Sequence, residues 1–277
     1  MIEVDQSFIA DREKAIAVET DDAIIERLRE RFSILTDMTM AVKSGDVRAM
    51  IVSGPPGVGK SYNVEEVLQK DSIFDKMADV KPKFEIVKGA MSALGLYAKL
   101  YQFSGKGNVL VFDDCDGILQ EELSLNILKG ALDSNDRRFI SWNLDSRLLR
   151  NEDIPNRFEF KGSAIFITNI KFDHVRSKKL KDHLNALQSR CHYIDLEMDT
   201  DREKMLRIKQ VIKDNDMLGK YSFEPEAEQE VLEFIEDNQA ALSELSLRMV
   251  LKISDLRQRF PQRWQTMAKT TCFGRRR

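Results

Sequence analysis

Residues 54–61 read Gly-Pro-Pro-Gly-Val-Gly-Lys-Ser and fit the pattern G-x-x-x-x-G-K-[ST]. Glycines in such a loop let successive backbone N–H groups turn toward one phosphate chain. The lysine then reaches the β- and γ-phosphates, and the serine hydroxyl reaches Mg²⁺. The octet therefore predicts a nucleotide site, although a Gly-Pro turn with an incidental lysine is the plainer alternative. The residues predicted to bind the nucleotide are Gly54, Pro55, Pro56, Gly57, Val58, Gly59, Lys60, Ser61 and Tyr62.

The sequence on either side of the octet supports this prediction. An apolar run at 48–53 suits a buried parallel strand, and 62–68 begins a plausible helix. A helix that starts at the loop directs its N-terminal dipole at the phosphates.

Composition places the chain among ordinary globular proteins. Its 277 residues are 42% hydrophobic and 32% charged, with a net charge of −3 that does not indicate nucleic-acid binding by the protein as a whole. Cys115, Cys191 and Cys272 are scattered and form no C-x-x-C, which argues against a disulfide framework or a zinc site. With no signal-like start and no apolar run of membrane length, we expect a cytoplasmic protein without a membrane partner.

Strands and helices alternate through the first 200 residues. Four further strands are predicted at 84–87, 108–112, 163–168 and 192–196, with helices at 92–103 and 121–132 between them. Such alternation predicts an α/β fold, a P-loop NTPase with a five-stranded parallel sheet. After residue 200 only helices are predicted, at 201–215, 225–238, 241–258 and 261–272.

The pattern divides the chain into three parts. A helical N-terminal extension covers 1–47, in which 1–20 read as a loosely held arm before an amphipathic helix. The α/β nucleotide-binding domain covers 48–199, and an all-helical domain covers 200–277.

Polar residues follow two of the predicted strands. Asp113 and Asp114 come after the strand at 108–112, where one carboxylate can hold Mg²⁺ through water and the next can orient or deprotonate the attacking water. An acidic strand end that caps the next helix is the alternative. Asn169 ends the strand at 163–168, where its amide could contact the attacking water or the γ-phosphate, or simply serve a turn.

Together these features resemble the AAA+ ATPase superfamily over about residues 45–260: the loop at 54–61, the acid-tipped strand at 109–114, Asn169 and the all-α tail. The resemblance implies that ATP and Mg²⁺ bind, that Asn169 is sensor 1, and that the helical domain is a lid. Stand-alone modules of this kind also resemble ATPases in bacteriophage genomes.

The resemblance extends to two arginines. Arg190 lies in a Ser-Arg-Cys segment similar to that of clamp loaders, which implies an arginine finger acting on the neighbouring subunit. Arg248, in Ser-Leu-Arg at 246–248, resembles sensor 2. A surface or salt-bridged arginine is the plainer interpretation of each. A finger that acts across subunits implies a homo-oligomeric ring or spiral, six-membered by analogy.

Two features depart from the family pattern. Asp114 stands where glutamate is usual, and its carboxylate is set back by one methylene, so turnover is expected to be slow. The loop at 88–95 lacks the aromatic residue of protein-threading members, which disfavours a strong unfoldase.

Basic residues cluster in three places outside the nucleotide site. Segments 137–143 and 156–161 alternate like a hairpin, and Arg137, Arg138, Arg147 and Arg150 could contact a phosphate backbone or merely form a solvated face. Two further basic clusters are the stretch at 171–181 and the three arginines at 275–277. A solvated surface is the first interpretation of these clusters, contacts between subunits the second and nucleic-acid contacts the third.

The sequence thus predicts a Mg²⁺-dependent ATPase that assembles and remodels a macromolecule. DNA or a DNA-bound complex is the favoured substrate, as for a loader or replication accessory. A protein-remodelling chaperone and a nucleotide-gated scaffold with very slow hydrolysis are the alternatives. Adenine is expected from the resemblance, and no guanine-reading N-K-x-D is present.

Overall fold

The computed structural model describes residues 19–70, 82–172 and 175–274. These residues divide into two compact units. The first contains 31–54, 60–70, 82–172 and 175–196, and the second contains 19–30, 55–59 and 197–274. Most of the predicted arm at 1–20, part of the basic stretch at 171–181 and the arginines at 275–277 lie outside the described residues. The three-part division predicted from the sequence stays a prediction.

The elements alternate as the sequence predicts. The strands are β1 (Ala49–Ser53), β2 (Phe84–Lys88), β3 (Val109–Asp113), β4 (Phe139–Ser141), β5 (Arg157–Glu159), β6 (Ser163–Thr168) and β7 (His192–Asp195). The helices are α1 (Asp21–Ser44), α2 (Lys60–Gln69), α3 (Ala93–Gln102), α4 (Glu122–Ala131), α5 (Arg147–Asn151), α6 (Lys178–Gln188), α7 (Asp201–Asn215), α8 (Pro225–Asp237), α9 (Leu247–Arg259) and α10 (Trp264–Cys272).

A parallel sheet forms the centre of the first unit, with strand order β2-β3-β6-β1-β7. Every residue of β1, β3 and β6 is buried, because apolar side chains on both faces of these strands are covered. This sheet and the loop that follows β1 confirm the predicted P-loop NTPase fold. The predicted hairpin also forms, as the antiparallel pair β4 and β5.

Strand register brings the polar strand ends to one edge of the sheet. Ser53 pairs with Thr168, and Asp113 pairs with both Lys88 and Ile167. The chain therefore leaves β1, β2, β3 and β6 at the same edge, where ligands bind in open parallel sheets.

The second unit has an all-helical core. Each of the helices α7 to α10 contributes buried residues to this core, among them Ile208, Val231, Val250 and Trp264. The helix predicted at 241–258 is wrong at its start, because α9 begins only at Leu247. Two interactions explain the late start.

Leu242 forms a β-bridge with Phe273, which holds the backbone extended before α9. Ser246 is the N-cap, and its side chain accepts a hydrogen bond from the Met249 N–H. In the described ranges, no helix combines the length and the apolar character needed to cross a bilayer.

Candidate nucleotide site

The loop between β1 and α2 has backbone conformations that require glycine. Gly57 has φ +71°, and a Cβ on Gly54 would lie only 3.0 Å from the Leu196 carbonyl oxygen. Helix α2 begins at Lys60, directly after this loop. The arrangement is a strand, a glycine loop and a helix N-terminus, as phosphate binding requires.

One amide connects three of the predicted site residues. The Lys60 side chain is buried, and its Nζ donates to the Gly54 carbonyl at 2.6 Å and to Asn169 Oδ1 at 2.8 Å. Asn169 Nδ2 donates in turn to Asp114 Oδ1 at 3.0 Å. Because an amide has both an acceptor and a donor end, Asn169 fixes the ammonium and the carboxylate relative to each other.

A second pair presents oxygen ligands for a metal. Ser61 Oγ donates to Asp113 Oδ1 at 2.7 Å, and the Asp113 residue is only 4% exposed. Mg²⁺ is typically held by one or two carboxylates together with substrate phosphates and water. The predicted metal residues, Ser61 and Asp113, therefore fit Mg²⁺ by the chemistry of their donors.

Two side-chain contacts at this edge of the sheet were missed by sequence reasoning. Lys88 Nζ lies 3.4 Å from Asp113 Oδ2, and Thr168 Oγ1 donates to Asp116 Oδ1 at 2.6 Å. Burial raises the pKa of Asp116, an effect that the Thr168 hydrogen bond opposes. The register of β2 and β3 creates the Lys88 contact, and no local sequence pattern reveals that register.

The short acidic segment after β3 is held by its backbone. Asp114 has φ +54°, and its N–H donates to the Ile167 carbonyl at 3.1 Å. Cys115 between the acids is buried, and burial together with the charge of Asp113 raises the pKa of its thiol. The thiol therefore stays protonated and donates to the Val87 carbonyl at 3.3 Å.

Arg248 lies beside the middle of the loop within the second unit. The Leu247 N–H donates to the Gly57 carbonyl at 2.9 Å, and a Cβ on Gly57 would lie 3.7 Å from Arg248 Cγ. Arg248 itself is exposed. The first turn of α9 thus places an exposed positive charge next to residues 55–59.

Arg190 lies just beyond the end of α6 in the first unit. It is half-buried, and its Nη1 donates to the Ala186 carbonyl at 2.6 Å. Among residues 19–70, 82–172 and 175–274 it forms no ion pair with a carboxylate. Burial raises the pKa of the adjacent Cys191 thiol to about 12. Tyr62, also predicted at the site, is 68% exposed.

The hairpin arginines separate into different environments. Arg138 is buried and donates to the Ala131 and Gly162 carbonyls at 3.0 Å each. Burial lowers its pKa to about 10, and this residue cannot contact a phosphate backbone as the sequence suggested. Arg137 pairs with Glu159 at 3.0 Å, and Arg150 pairs with Asp145.

A comparison with known protein sequences finds a relative that matches most of the chain. An uncharacterised 36.7 kDa protein from the nrdC–mobD intergenic region of Enterobacteria phage T4 is 33% identical over 244 residues, which cover 87% of this chain and 73% of the phage protein. No family model matches the chain.

Similar solved structures share little sequence with the chain. They include Saccharomyces cerevisiae Hsp104 in complex with casein, at 15% identity and a TM-score of 0.45, where the match covers 84% of this chain and 36% of the Hsp104 chain. Aeropyrum pernix ORC2 has 12% identity and a TM-score of 0.45, with coverage of 91% and 68%. Drosophila ORC bound to DNA has 15% identity and a TM-score of 0.37, with coverage of 93% and 64%.

Proposed function

From the residues of its site, we propose that the protein is an ATPase. The chain belongs to the family of the phage T4 36.7 kDa protein, and its fold is that of AAA+ proteins. It binds ATP with Mg²⁺ and hydrolyses the terminal phosphate. The observation that carries this proposal is the Asn169 amide, which links the Lys60 ammonium at 2.8 Å to the Asp114 carboxylate at 3.0 Å. A phosphate-binding cation at the start of α2 and a water-activating base after β3 are thereby held together by the amide that follows β6.

Each side chain has a role that its surroundings support. Lys60 neutralises charge on the β- and γ-phosphates, and the loop N–H groups orient the phosphate chain. Asp114 accepts a proton from the attacking water, which Asn169 also orients. Ser61 and Asp113 would hold Mg²⁺, which when bound supplies positive charge to the phosphate oxygens.

Lys60→Ala tests the site directly. Loss of a charge-assisted hydrogen bond to phosphate weakens binding by roughly 10- to 150-fold. We expect that loss when a fluorescent ATP analogue is titrated in the presence of Mg²⁺.

Lys70→Ala is the matched control, because Lys70 follows the same helix and pairs only at the surface, 3.6 Å from Glu66. It should bind the analogue like the unmodified chain. Equal affinity of the Lys60→Ala variant and the unmodified chain would contradict the proposed site.

We further propose that Arg190 acts on the site of a neighbouring copy, so that the active form is a ring or spiral, six-membered by analogy with the AAA+ superfamily. Two features support this: its position one residue after Ser189 at the end of α6, and the absence of a carboxylate partner in the described part of the chain. A guanidinium supplied in this way raises phosphoryl-transfer rates by roughly 10³–10⁵. Arg248, beside Gly57, would act as the nucleotide sensor of the helical unit.

DNA or a DNA-bound complex is the macromolecular substrate that we propose. Phe139 on the hairpin is 38% exposed, with the guanidinium of Arg157 4.5 Å and that of Arg137 4.9 Å from its ring centre. Exposed aromatic rings flanked by arginines suit stacked bases and phosphates of a single strand. Stimulation of ATP turnover by single-stranded DNA supports this substrate, whereas stimulation by an unfolded protein alone favours a chaperone.

Very slow hydrolysis by a nucleotide-gated scaffold is the second candidate. Asp114 favours it, because the shorter acid is tied to the Asn169 amide at 3.0 Å and reaches less far than glutamate. Assembly in the presence of ATP with negligible phosphate release would identify this behaviour.

A further inference from the structure

Lys88 contacts the metal-binding carboxylate from a strand that carries no other residue of the site described above. It is the last residue of β2, and its register partner is Asp113 at the end of β3. Register partners in a parallel sheet direct their side chains to the same face. Lys88 Nζ accordingly lies 3.4 Å from Asp113 Oδ2.

The carboxylate of Asp113 is thus engaged at both of its oxygens. Oδ1 accepts the hydrogen bond from Ser61 at 2.7 Å, while Oδ2 faces the Lys88 ammonium. A hydrated metal ion that approaches this carboxylate competes with the ammonium for Oδ2, because both are cations seeking the same oxygen.

The two partners differ greatly in exposure. The Asp113 side chain is 6% exposed, and the Lys88 side chain is 60% exposed. The lysine head can therefore leave for water at low cost, while the buried carboxylate gains from keeping a cation nearby. A pair of this kind is a replaceable counter-ion and not a rigid structural bridge.

We propose that Lys88 is a positioning residue that holds Asp113 until Mg²⁺ arrives with the nucleotide and then releases it. This inference rests on the proposed ATP site. It assigns Lys88 a specific effect: it lowers the affinity of the site for Mg²⁺ without contributing to the binding of the nucleotide itself. Metal is then retained only when phosphate oxygens complete its coordination.

Lys88→Met removes the ammonium and keeps the aliphatic chain. A fluorescent ATP analogue is titrated first in EDTA and then at fixed nucleotide with increasing Mg²⁺. We expect the Mg²⁺ midpoint to fall by about 1.5- to fivefold, the effect of removing one partly exposed competing pair. Binding in EDTA should equal that of the unmodified chain.

Two variants serve as controls. Lys99→Met removes a different ion pair of strand β2, in which Lys99 of α3 lies 2.6 Å from Glu85. This variant should leave the Mg²⁺ midpoint unchanged. Lys88→Arg keeps a cation at the position and should stay close to the unmodified chain. A purely structural role of Lys88 would change binding in EDTA and in Mg²⁺ alike.

Three results would overturn the inference. An unchanged Mg²⁺ midpoint in Lys88→Met would show that the ammonium does not compete with the metal. Weaker binding in EDTA would show that Lys88 contacts the phosphates instead. No binding of the analogue by the unmodified chain would overturn the proposed function and this inference together, a result distinct from the other two.

Discussion

At the scale of single residues, the backbone of Asp114 accounts for the acid found there. Its φ of +54° lies in the left-handed region, which aspartate and asparagine adopt far more readily than longer side chains. Glutamate would place its carboxylate farther out but would fit this conformation less well. The left-handed backbone therefore suits aspartate at position 114, where the AAA+ pattern usually has glutamate. Asn169 donates a hydrogen bond to this shorter acid.

Asp114→Asn tests the role of this carboxylate. The substitution keeps the shape and tolerates the left-handed backbone, so nucleotide affinity should change by less than about twofold. Turnover should fall by roughly 10²–10⁴, the usual contribution of a general base. Parallel measurement of nucleotide affinity and steady-state phosphate release checks both expectations.

Asp153→Asn is the matched control, because Asp153 is an exposed aspartate with φ +53° outside the site. It should change neither quantity. Full turnover in the Asp114→Asn variant would mean that another group activates the water.

Sequence reasoning predicted the residues of the loop and the strand ends but not their neighbours. Spacing alone identifies Lys60 and Ser61, since the motif is local. Lys88 meets Asp113 through strand register, and Arg138 is buried by the packing of the hairpin. The Lys88–Asp113 contact and the burial of Arg138 both depend on tertiary structure, which the adjacent sequence does not reveal.

At the scale of elements, one backbone hydrogen bond joins the loop to the start of α9. The Leu247 N–H donates to the Gly57 carbonyl at 2.9 Å, and Leu247 is the first residue of the helix. Ser246 before it has φ −156° and ψ 161°, the extended conformation that precedes proline readily. Proline is also favoured at the first position of a helix.

Leu247→Pro therefore deletes this one donor while it preserves α9. We expect nucleotide affinity to fall by about two- to tenfold, the value of one hydrogen bond that fixes the loop. Leu247→Ala removes the same apolar side chain but keeps the N–H, so any difference between the two variants belongs to the lost N–H and to the proline Cδ that takes its place opposite the Gly57 carbonyl. Circular dichroism should show equal helix content, and equal nucleotide affinities would contradict the proposed coupling.

Helix and strand boundaries were predictable wherever periodicity was strong. The segment 201–215 was predicted as a helix and matches α7 at both ends, because a capping box formed by Thr200 and Glu203 marks its start. The start of α9 was missed because the Leu242–Phe273 bridge, a contact distant in sequence, extends the preceding backbone. Local propensity gives no information about such a pairing.

At the scale of the whole molecule, the described residues form two compact units. Gly54 and Lys60 belong to the first unit, and residues 55–59 belong to the second together with Arg248. Arg190, in the first unit, donates to the Ala186 carbonyl of the preceding helix α6 and has no carboxylate partner among the described residues. Our central claim is that this arginine completes the site of a neighbouring copy.

The most direct test of this claim is the rate of ATP turnover after two inactive variants are mixed. Lys60→Ala lacks the phosphate-binding lysine but keeps the arginine, whereas Arg190→Ala keeps an intact site but lacks the arginine. Each variant alone should hydrolyse ATP at a small fraction of the unmodified rate. In an equimolar mixture, assembled from dilute protein and then concentrated, random neighbours should restore about a quarter of that rate. Turnover that stays at the level of the separate variants, or an Arg190→Ala variant as active as the unmodified chain, would contradict the claim.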